Sequence, residues 1–324
     1  SYLIIFIYIL PLLFIYSGKL KNIKKFVSII HLPFLIVFLF LFFNLYSNNI
    51  KQNKEMNLEV FQIFSPIDKF DKNSIKVDII NKIKKSNAEY IVFAENNYPY
   101  LMSDINTIEI LEHIKDNKKV IIGTTRINKN KFYNSFLFLE KDNIQIFDKQ
   151  ILVPFGEFLP FRSYLKFLEK ISGYVDYTPG SEERIIKSSD KVNILPIICY
   201  EIIFNKVLRK INEKEIDILI NITNDSWFGN KLGPYQHFYH SRIRALISNK
   251  YLLRVSNNGI SAIIDNNGKV KNFTKLNIKK NFAHLLEIKN TTYFGLIHNI
   301  CLFYLIFIIF IYTLFFRHKF KHDQ

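Results

Sequence analysis

Three long runs of apolar residues frame the chain, two near its beginning and one near its end, at residues 2–16, 26–46 and 294–316. A bilayer core about 30 Å thick needs about 20 helical residues to cross it. The second and third runs therefore predict membrane-spanning helices. The first run is shorter, and the sequence opens on Ser1 rather than Met. We therefore expect a fragment whose first helix begins further upstream.

Basic residues beside these runs predict the topology. Four lie between the first two runs and three follow the last run, namely Lys19, Lys21, Lys24, Lys25, Arg317, Lys319 and Lys321. Because Lys and Arg stay on the cytoplasmic side, the region between the second and third runs lies outside the cytoplasm. The predicted organisation is two transmembrane helices in 1–50, an extracytoplasmic domain in 51–290, and a transmembrane helix with a basic cytoplasmic tail in 291–324.

Between the runs, short apolar stretches alternate with amphipathic ones. Strands are predicted at 60–64, 90–93, 120–123, 194–198 and 216–221, and helices at 71–85, 105–114, 236–250 and directly after Cys199. Hairpins are predicted at 136–146 and 251–264, beside the turn residues Asp142-Asn143 and Asn266-Asn267-Gly268. Strands that alternate with helices and are followed by hairpins predict an α/β layered sandwich.

Composition narrows the class of protein. Hydrophobic residues at 49% and aromatic residues at 16% exclude a disordered chain. Two cysteines, Cys199 and Cys301, exclude a disulfide framework. The net charge of +16 suggests a nucleic-acid partner, but no basic helix carries interleaved base-stacking aromatics. We expect no nucleic-acid partner, and the positive charge favours an anionic lipid surface.

Three polar residues follow predicted strands, where α/β folds place their sites. They are Glu95, Lys149 and Cys199. A thiol nucleophile needs a base and a donor for the oxyanion, and these three side chains supply that set without a histidine. Each has a plainer interpretation when taken alone. A cysteine after an apolar strand is often a small core residue, and a Glu or Lys at a strand end is usually solvated.

Five segments carry a family resemblance: FAENNYP at 93–99, YNS at 133–135, FDKQILVPFGEFLP at 147–160, ICYE at 198–201 and NITNDSWFG at 221–229. With their spacing, they resemble the nitrilase superfamily, and most closely its apolipoprotein N-acyltransferase branch. The resemblance covers roughly residues 60–270. It implies a nitrilase-like αββα sandwich, here flanked by transmembrane helices.

The resemblance also implies a reaction. Glu95 is implied as the general base, Lys149 as a ligand of the oxyanion, and Cys199 as the nucleophile that forms a thioester. The implied acyl donor is a phospholipid, phosphatidylethanolamine, and the acceptor is the diacylglyceryl-cysteine at the N-terminus of an apolipoprotein. Such an enzyme is a multi-pass protein of the bacterial inner membrane, has its catalytic domain on the periplasmic side, and uses no cofactor or metal.

Three residues are implied as supports of the triad. Glu157 orients Lys149 or the thiol, and the alternative is a purely structural ion pair. Tyr200 and Glu201 flank the nucleophile and position its loop.

Apolar residues are candidates for substrate contact or for a lid, namely Phe70, Phe161, Tyr164, Trp227 and Phe228. Phe70 stands where the family often has a Trp. The spacing i, i+3, i+4, i+7 is shared by Phe161, Tyr164, Leu165 and Leu168. It favours a helix face packed on the core, and the alternative is a lid that dips into the outer leaflet. Trp227 is likewise expected either in the lid or in the interior.

Two other functions stay open at this point. One is a membrane-tethered amidase that hydrolyses small C–N bonds, and release of free acid or ammonia without lipid would support it. The other is a catalytically silent scaffold that binds lipoproteins, and failure of a thiol-directed acyl probe to label the protein would favour it.

Overall fold

The computed structural model describes residues 54–64, 71–102, 104–115, 117–208 and 216–288. All of them fall in a compact unit that spans Lys51–Asn290. The three apolar runs and Phe70 lie outside the described residues. Within the described part of the chain, no helix is long and apolar enough to cross a membrane.

The first of two six-stranded sheets holds the early strands and the last one. Its members are β1 (Lys54–Gln62), β2 (Tyr90–Phe93), β3 (Lys119–Asn128), β4 (Lys131–Glu140), β5 (Asn143–Asp148) and β12 (Lys280–Ile288). The strand order is β12-β1-β2-β3-β4-β5. The pairs β1–β2 and β2–β3 are parallel, and the remaining pairs are antiparallel.

The second sheet repeats this design with a parallel centre and antiparallel edges. It contains β6 (Ile186–Lys187), β7 (Asn193–Ile198), β8 (Ile218–Thr223), β9 (Tyr251–Ser256), β10 (Ala262–Ile264) and β11 (Val270–Phe273). The order is β11-β10-β9-β8-β7-β6, and β7, β8 and β9 are parallel.

The described part of the chain has four α-helices, of which the first two cover the outer face of the first sheet and the last covers that of the second. They are α1 (Lys72–Lys85), α2 (Asp104–Leu111), the one-turn α3 (Glu169–Ser172) and α4 (Leu232–Ser248). Ile79 and Ile83 of α1 pack against the first sheet with Ile110 of α2. Ala245 of α4 packs against the second sheet. Asp71 caps α1 by accepting a hydrogen bond from the Asn73 amide at 3.1 Å.

Along the central strands, successive side chains face opposite sides of the sheet. Tyr90 and Val92 of β2 enter the core between the sheets, whereas Ile91 and Phe93 face the helices. All four are buried, as expected for a strand covered on both faces. Two sheets between helical layers confirm the predicted αββα sandwich.

Some predicted boundaries are wrong. The helix predicted at 236–250 begins earlier, at Leu232. The helix predicted after Cys199 is replaced by two short 3-10 segments, Cys199–Ile203 and Asn205–Leu208. No strand was predicted at β12, which alternates exposed and buried residues and pairs with β1 from the opposite end of the described chain.

The carboxyl ends of the central strands of the two sheets lie side by side. The Phe64 amide after β1 donates to the Asn257 carbonyl after β9 at 3.0 Å. Asn97 Nδ2 after β2 donates to Asn257 Oδ1 at 3.1 Å. The carboxyl ends of the parallel strands in both sheets therefore meet at one end of the sandwich.

Candidate active site

Glu95, Lys149 and Cys199 lie at the meeting point of the strand ends. Glu95 follows β2, Lys149 follows β5, and Cys199 follows β7. All three side chains are buried. The plain interpretation of Glu95 and Lys149 as solvated strand-end residues is therefore wrong. The structure brings the three residues into one site, as the motif resemblance implies.

Lys149 bridges two carboxylates. Its Nζ lies 2.8 Å from Glu157 Oε1 and 3.5 Å from Glu95 Oε1. Burial alone would lower the pKa of Lys149, but the negative charge of Glu95 and Glu157 outweighs burial and raises it. The side chain is therefore a permanent cation beside the thiol.

Glu95 is fixed by donors on both oxygens. Oε1 accepts from Asn134 Nδ2 at 2.8 Å, and Oε2 accepts from the backbone amide of Asn224 at 2.8 Å. Burial raises the pKa of Glu95, and Glu157 adds to this, while Lys149 and hydrogen bonds from Asn134 and Cys199 oppose it. A carboxylate with a raised pKa is a better proton acceptor.

Gly123 of β3 explains how the Glu95 turn can pack so closely. A Cβ at this position would lie 2.5 Å from Glu95 Cα and 2.7 Å from the Ala94 oxygen. Only glycine leaves room for the strand to pass beneath the turn.

Cys199 occupies a sharp turn between β7 and the first 3-10 segment. Its φ is +50°, a left-handed conformation that costs a non-glycine residue about 1–2 kcal/mol. Burial, together with the charge of Glu95, raises the pKa of the thiol to about 12, and Lys149 opposes this rise. The resting group is a thiol, so its use as a nucleophile requires a base.

Glu201 joins the Cys199 turn to the residues that follow Lys149. Its carboxylate accepts from the amides of Ile198, Gln150 and Ile151 at 2.9–3.1 Å. Arg184 Nη1 and Nη2 donate to its two oxygens at 2.8 and 2.7 Å. Burial would raise the pKa of Glu201, but Arg184 and the backbone donors hold it below its ordinary value.

The other supporting residues differ in what they contact. Glu157 Oε1 accepts from Asn134 Nδ2 at 2.8 Å as well as from Lys149, and Oε2 accepts from the Val153 amide at 2.9 Å. Glu157 therefore fixes Lys149 from within the site. Tyr200 packs on the core between the sheets and contacts the Phe204 ring edge-on at 5.2 Å.

Most of the lid candidates are exposed. Phe161, Tyr164 and Trp227 expose 77%, 83% and 80% of their surface. The favoured packing of the Phe161 face on the core is wrong, as is an interior place for Trp227. The expected helix face is broken into turns, the 3-10 segment Lys166–Leu168 and α3. Phe228 is half-buried and contacts the His237 ring at 5.1 Å.

Five polar residues at or next to the site had no predicted role, namely Asn134, Arg184, Asp225, His237 and Arg254. The Tyr-Asn-Ser and Asn-Asp-Ser-Trp motifs contain two of them, and these motifs were a signal that could have identified them. Arg184, His237 and Arg254 lie outside the five motif segments, and only the fold reveals their partners.

Comparison with known proteins defines the class. A family model described as carbon-nitrogen hydrolase matches residues 66–277, more than half of the chain. The chain belongs to the carbon-nitrogen hydrolase family.

Relatives within that class share one name. The chain is 39% identical over 179 residues to an apolipoprotein N-acyltransferase of Rickettsia prowazekii (strain Madrid E), covering 55% of this chain and 35% of that protein. It is 41% identical over 174 residues to an apolipoprotein N-acyltransferase of Wigglesworthia glossinidia brevipalpis, covering 51% and 35%. The matched region thus spans about a third of the length of these relatives.

Solved structures support the fold alone. A carbon-nitrogen hydrolase superfamily protein from Xanthomonas campestris, with an arsenic adduct in its active site, has a TM-score of 0.53 at 14% identity and covers 72% of this chain and 91% of its own. A nitrilase-superfamily member from Saccharomyces cerevisiae has a TM-score of 0.55 at 17% identity, covering 74% and 91%.

Proposed function

We propose that the protein is an apolipoprotein N-acyltransferase that uses Cys199 as nucleophile, Glu95 as general base and Lys149 as a ligand of the oxyanion. The observation that carries the proposal is the burial of these three side chains together, with a cation and a fixed carboxylate beside the thiol. The shared name of the relatives supports the choice of reaction.

In the first half-reaction, Glu95 removes the proton of the Cys199 thiol. The thiolate attacks the carbonyl carbon of a phospholipid acyl ester, with phosphatidylethanolamine as the proposed donor. Negative charge on the carbonyl oxygen is stabilised by Lys149 and by a backbone N–H near Cys199, one such donor being worth about 3 kcal/mol. The C–O bond breaks, Glu95 returns the proton to the leaving oxygen, and a thioester and a lysophospholipid result.

In the second half-reaction, the α-amino group of a diacylglyceryl-cysteine attacks the thioester. Glu95 accepts the proton from the nitrogen, the C–S bond breaks, and the thiolate of Cys199 is regenerated and reprotonated. An amine competes with water only in a site from which water is excluded. Burial of all three side chains favours that condition.

Mass spectrometry of the full chain tests this proposal. Incubation with phosphatidylethanolamine should add one acyl mass that neutral hydroxylamine removes. Cys199→Ala should abolish the adduct, and Cys301→Ala serves as the matched control that keeps it. An adduct that survives Cys199→Ala would overturn the mechanism. Ammonia release from small amides without lipid would support the amidase alternative, and a failure to acquire any acyl group would support the silent scaffold.

We further propose a place in the bacterial inner membrane with the catalytic domain on the periplasmic side, based on the basic flanks of the apolar runs. Val77 of α1 is exposed, and Val77→Cys in a Cys199→Ala, Cys301→Ala background gives a single reporter thiol. A membrane-impermeant maleimide should label it in intact spheroplasts. Labelling only after lysis would place residue 77 on the cytoplasmic side and would contradict the proposed topology.

A further inference from the structure

A second cluster of charged residues lies directly behind the Cys199 turn. Asp225, His237 and Arg254 are all buried. Arg254 Nη2 donates to the two oxygens of Asp225 at 2.9 and 2.7 Å. His237 Nδ1 lies 2.8 Å from Asp225 Oδ1 and 3.2 Å from Arg254 Nη2. The proposed acyl transfer assigns no role to this cluster.

The cluster contacts the backbone of Cys199 at its carbonyl oxygen. His237 Nε2 lies 3.3 Å from this oxygen, and Asn221 Nδ2 donates to it at 3.4 Å. A carbonyl oxygen only accepts hydrogen bonds, so the Nε2 that approaches it carries the hydrogen. Burial and the charge of Arg254 lower the pKa of His237, so the ring is neutral, and Nδ1 accepts from Arg254 Nη2. His237 therefore holds the backbone of Cys199.

That carbonyl belongs to the peptide unit that joins Cys199 to Tyr200. In a planar trans peptide, the C=O and the N–H point in opposite directions. Tyr200 is the second residue of a 3-10 segment, and the first amides of a helix lack intrahelical acceptors. Holding the Cys199 oxygen on the buried side therefore aims the Tyr200 N–H away from the cluster.

We propose that His237 and Asn221, held in place by Asp225 and Arg254, are positioning residues that aim the Tyr200 N–H at the oxyanion formed during acyl transfer to Cys199. The inference rests on the proposed function, in which a backbone N–H near Cys199 stabilises that oxyanion. Hydrogen bonds received by a carbonyl also polarise its peptide unit, which makes the N–H on the other side a stronger donor.

Contacts with neighbouring residues hold the side chains of the cluster in place. Arg254 Nη1 donates to Asn221 Oδ1 at 2.8 Å, so the same arginine orients the second donor of the Cys199 carbonyl. A Cβ on Gly259 would lie 1.8 Å from Asp225 Oδ2, so the loop packs tightly against the carboxylate. The charge of Arg254 holds the pKa of Asp225 far below its ordinary value despite burial, and the Asp225–Arg254 ion pair therefore persists.

Two variants of one residue separate positioning from folding. His237→Gln places an amide nitrogen near the position of Nε2 and can still donate to the Cys199 oxygen. His237→Asn places its amide near Nδ1, so it keeps a contact with Asp225 but does not reach that oxygen. His240→Ala, on the same helix and half-buried, is the control. Asp225→Ala is unsuitable, because it would leave Arg254 buried without its partner.

Two reactions of Cys199 in the full chain are compared, both followed by mass spectrometry of the Cys199 peptide. Acylation by p-nitrophenyl acetate passes through an oxyanion, whereas alkylation by iodoacetamide displaces iodide and does not. Removing an oxyanion donor costs about 10²–10³-fold in rate, so a misaligned donor should slow acylation by His237→Asn at least about tenfold. Alkylation should stay within about threefold of wild type, and His237→Gln should recover most of the acylation rate.

Each other outcome has a defined meaning. Equal losses in acylation and alkylation for His237→Asn, or no loss in either, would overturn the positioning role. So would a His237→Gln variant no better than His237→Asn. If p-nitrophenyl acetate acylates wild-type Cys199 but phosphatidylethanolamine does not, only the phospholipid donor of the proposed function fails. If neither ester acylates Cys199, the proposed function and this inference both fail.

Discussion

Lys149 Nζ lies 2.8 Å from Glu157 Oε1, closer than its 3.5 Å separation from Glu95 Oε1. The lysine thus forms its shorter ion pair with the supporting carboxylate. Glu157 raises the pKa of Glu95, and Lys149 lowers it. The pair therefore leaves Glu95 a stronger base than a direct Lys149–Glu95 pair would.

Glu157→Gln should weaken that base. Without the charge of Glu157, the pKa of Glu95 falls, and the acidic limb of the pH–rate profile for Cys199 acylation should move to lower pH. The rate at neutral pH should drop about tenfold or more, since a well-matched general base contributes about 10²–10⁴-fold. Acylation by p-nitrophenyl acetate between pH 5 and 9 measures both effects. Glu169→Gln, which removes an ion pair with Arg162 outside the site, is the control, and an unmoved acidic limb would contradict the argument.

Arg184→Met should destabilise the domain by leaving Glu201 buried without its counter-ion, at a cost of about 3–5 kcal/mol. In the wild type, the pKa of Glu201 is depressed, so its contribution is present above the unfolded pKa and is lost as the pH falls. In the variant, the carboxylate is penalised until it is protonated. The deficit should therefore shrink on acidification.

Pulse proteolysis of the full chain in detergent and urea, at pH 7.5 and pH 5, measures this deficit. Arg162→Met should change the unfolding midpoint much less, because its ion pairs with Glu169 and Asp176 are both partly solvent-accessible. A deficit that grows as the pH falls would show that Arg184 does not act through Glu201.

The layered fold was predictable because its central strands are apolar on both faces. Ile91, Ile197 and Ile220 are buried, and such short apolar stretches between turn residues indicate strands by composition alone. Strand β12 was missed because half of it faces solvent and its partner β1 is distant in the chain. Edge strands of this kind are defined by a pairing that local pattern does not encode.

The residues of the candidate site that lie in motifs were predictable from the sequence. Those brought together only by the fold were not. Glu95, Lys149 and Cys199 follow strands and lie in motif segments. The Asp225–Arg254 pair joins residues 29 positions apart, and nothing about an arginine inside an apolar strand indicates its partner. The predicted packing of the Phe161 segment on the core was wrong because helical spacing indicates an apolar helix face but does not indicate what that face contacts.

The exposed aromatic residues predict a dependence on lipid. Replacing Phe161, Tyr164 and Trp227 together by Ser removes three large exposed apolar surfaces, each worth about 1.5–3 kcal/mol when fully buried. Acylation of Cys199 from phosphatidylethanolamine vesicles should fall at least about tenfold, while acylation by p-nitrophenyl acetate should not change. Phe273→Ser on β11, also exposed, is the matched control. Equal losses with both donors would indicate damage to the site rather than loss of membrane contact.

Glu95 and Lys149 should differ in how their loss responds to pH. Glu95→Gln keeps the shape of the side chain but cannot accept a proton, and should slow Cys199 acylation by about 10²-fold or more. Glu95 also raises the pKa of the thiol, and Lys149 lowers it. Glu95→Gln therefore brings the thiol pKa below its value of about 12, and a rising pH should partly restore acylation.

Lys149→Met should slow acylation for a different reason. The change removes the cation beside the oxyanion and raises the thiol pKa further, so the same rise in pH should leave it impaired. Rates of p-nitrophenyl acetate acylation between pH 7 and 10 compare the two variants, and Cys199→Ala gives the background. Equal rescue of both variants, or rescue of neither, would mean that these roles are wrongly assigned even if Cys199 is the nucleophile.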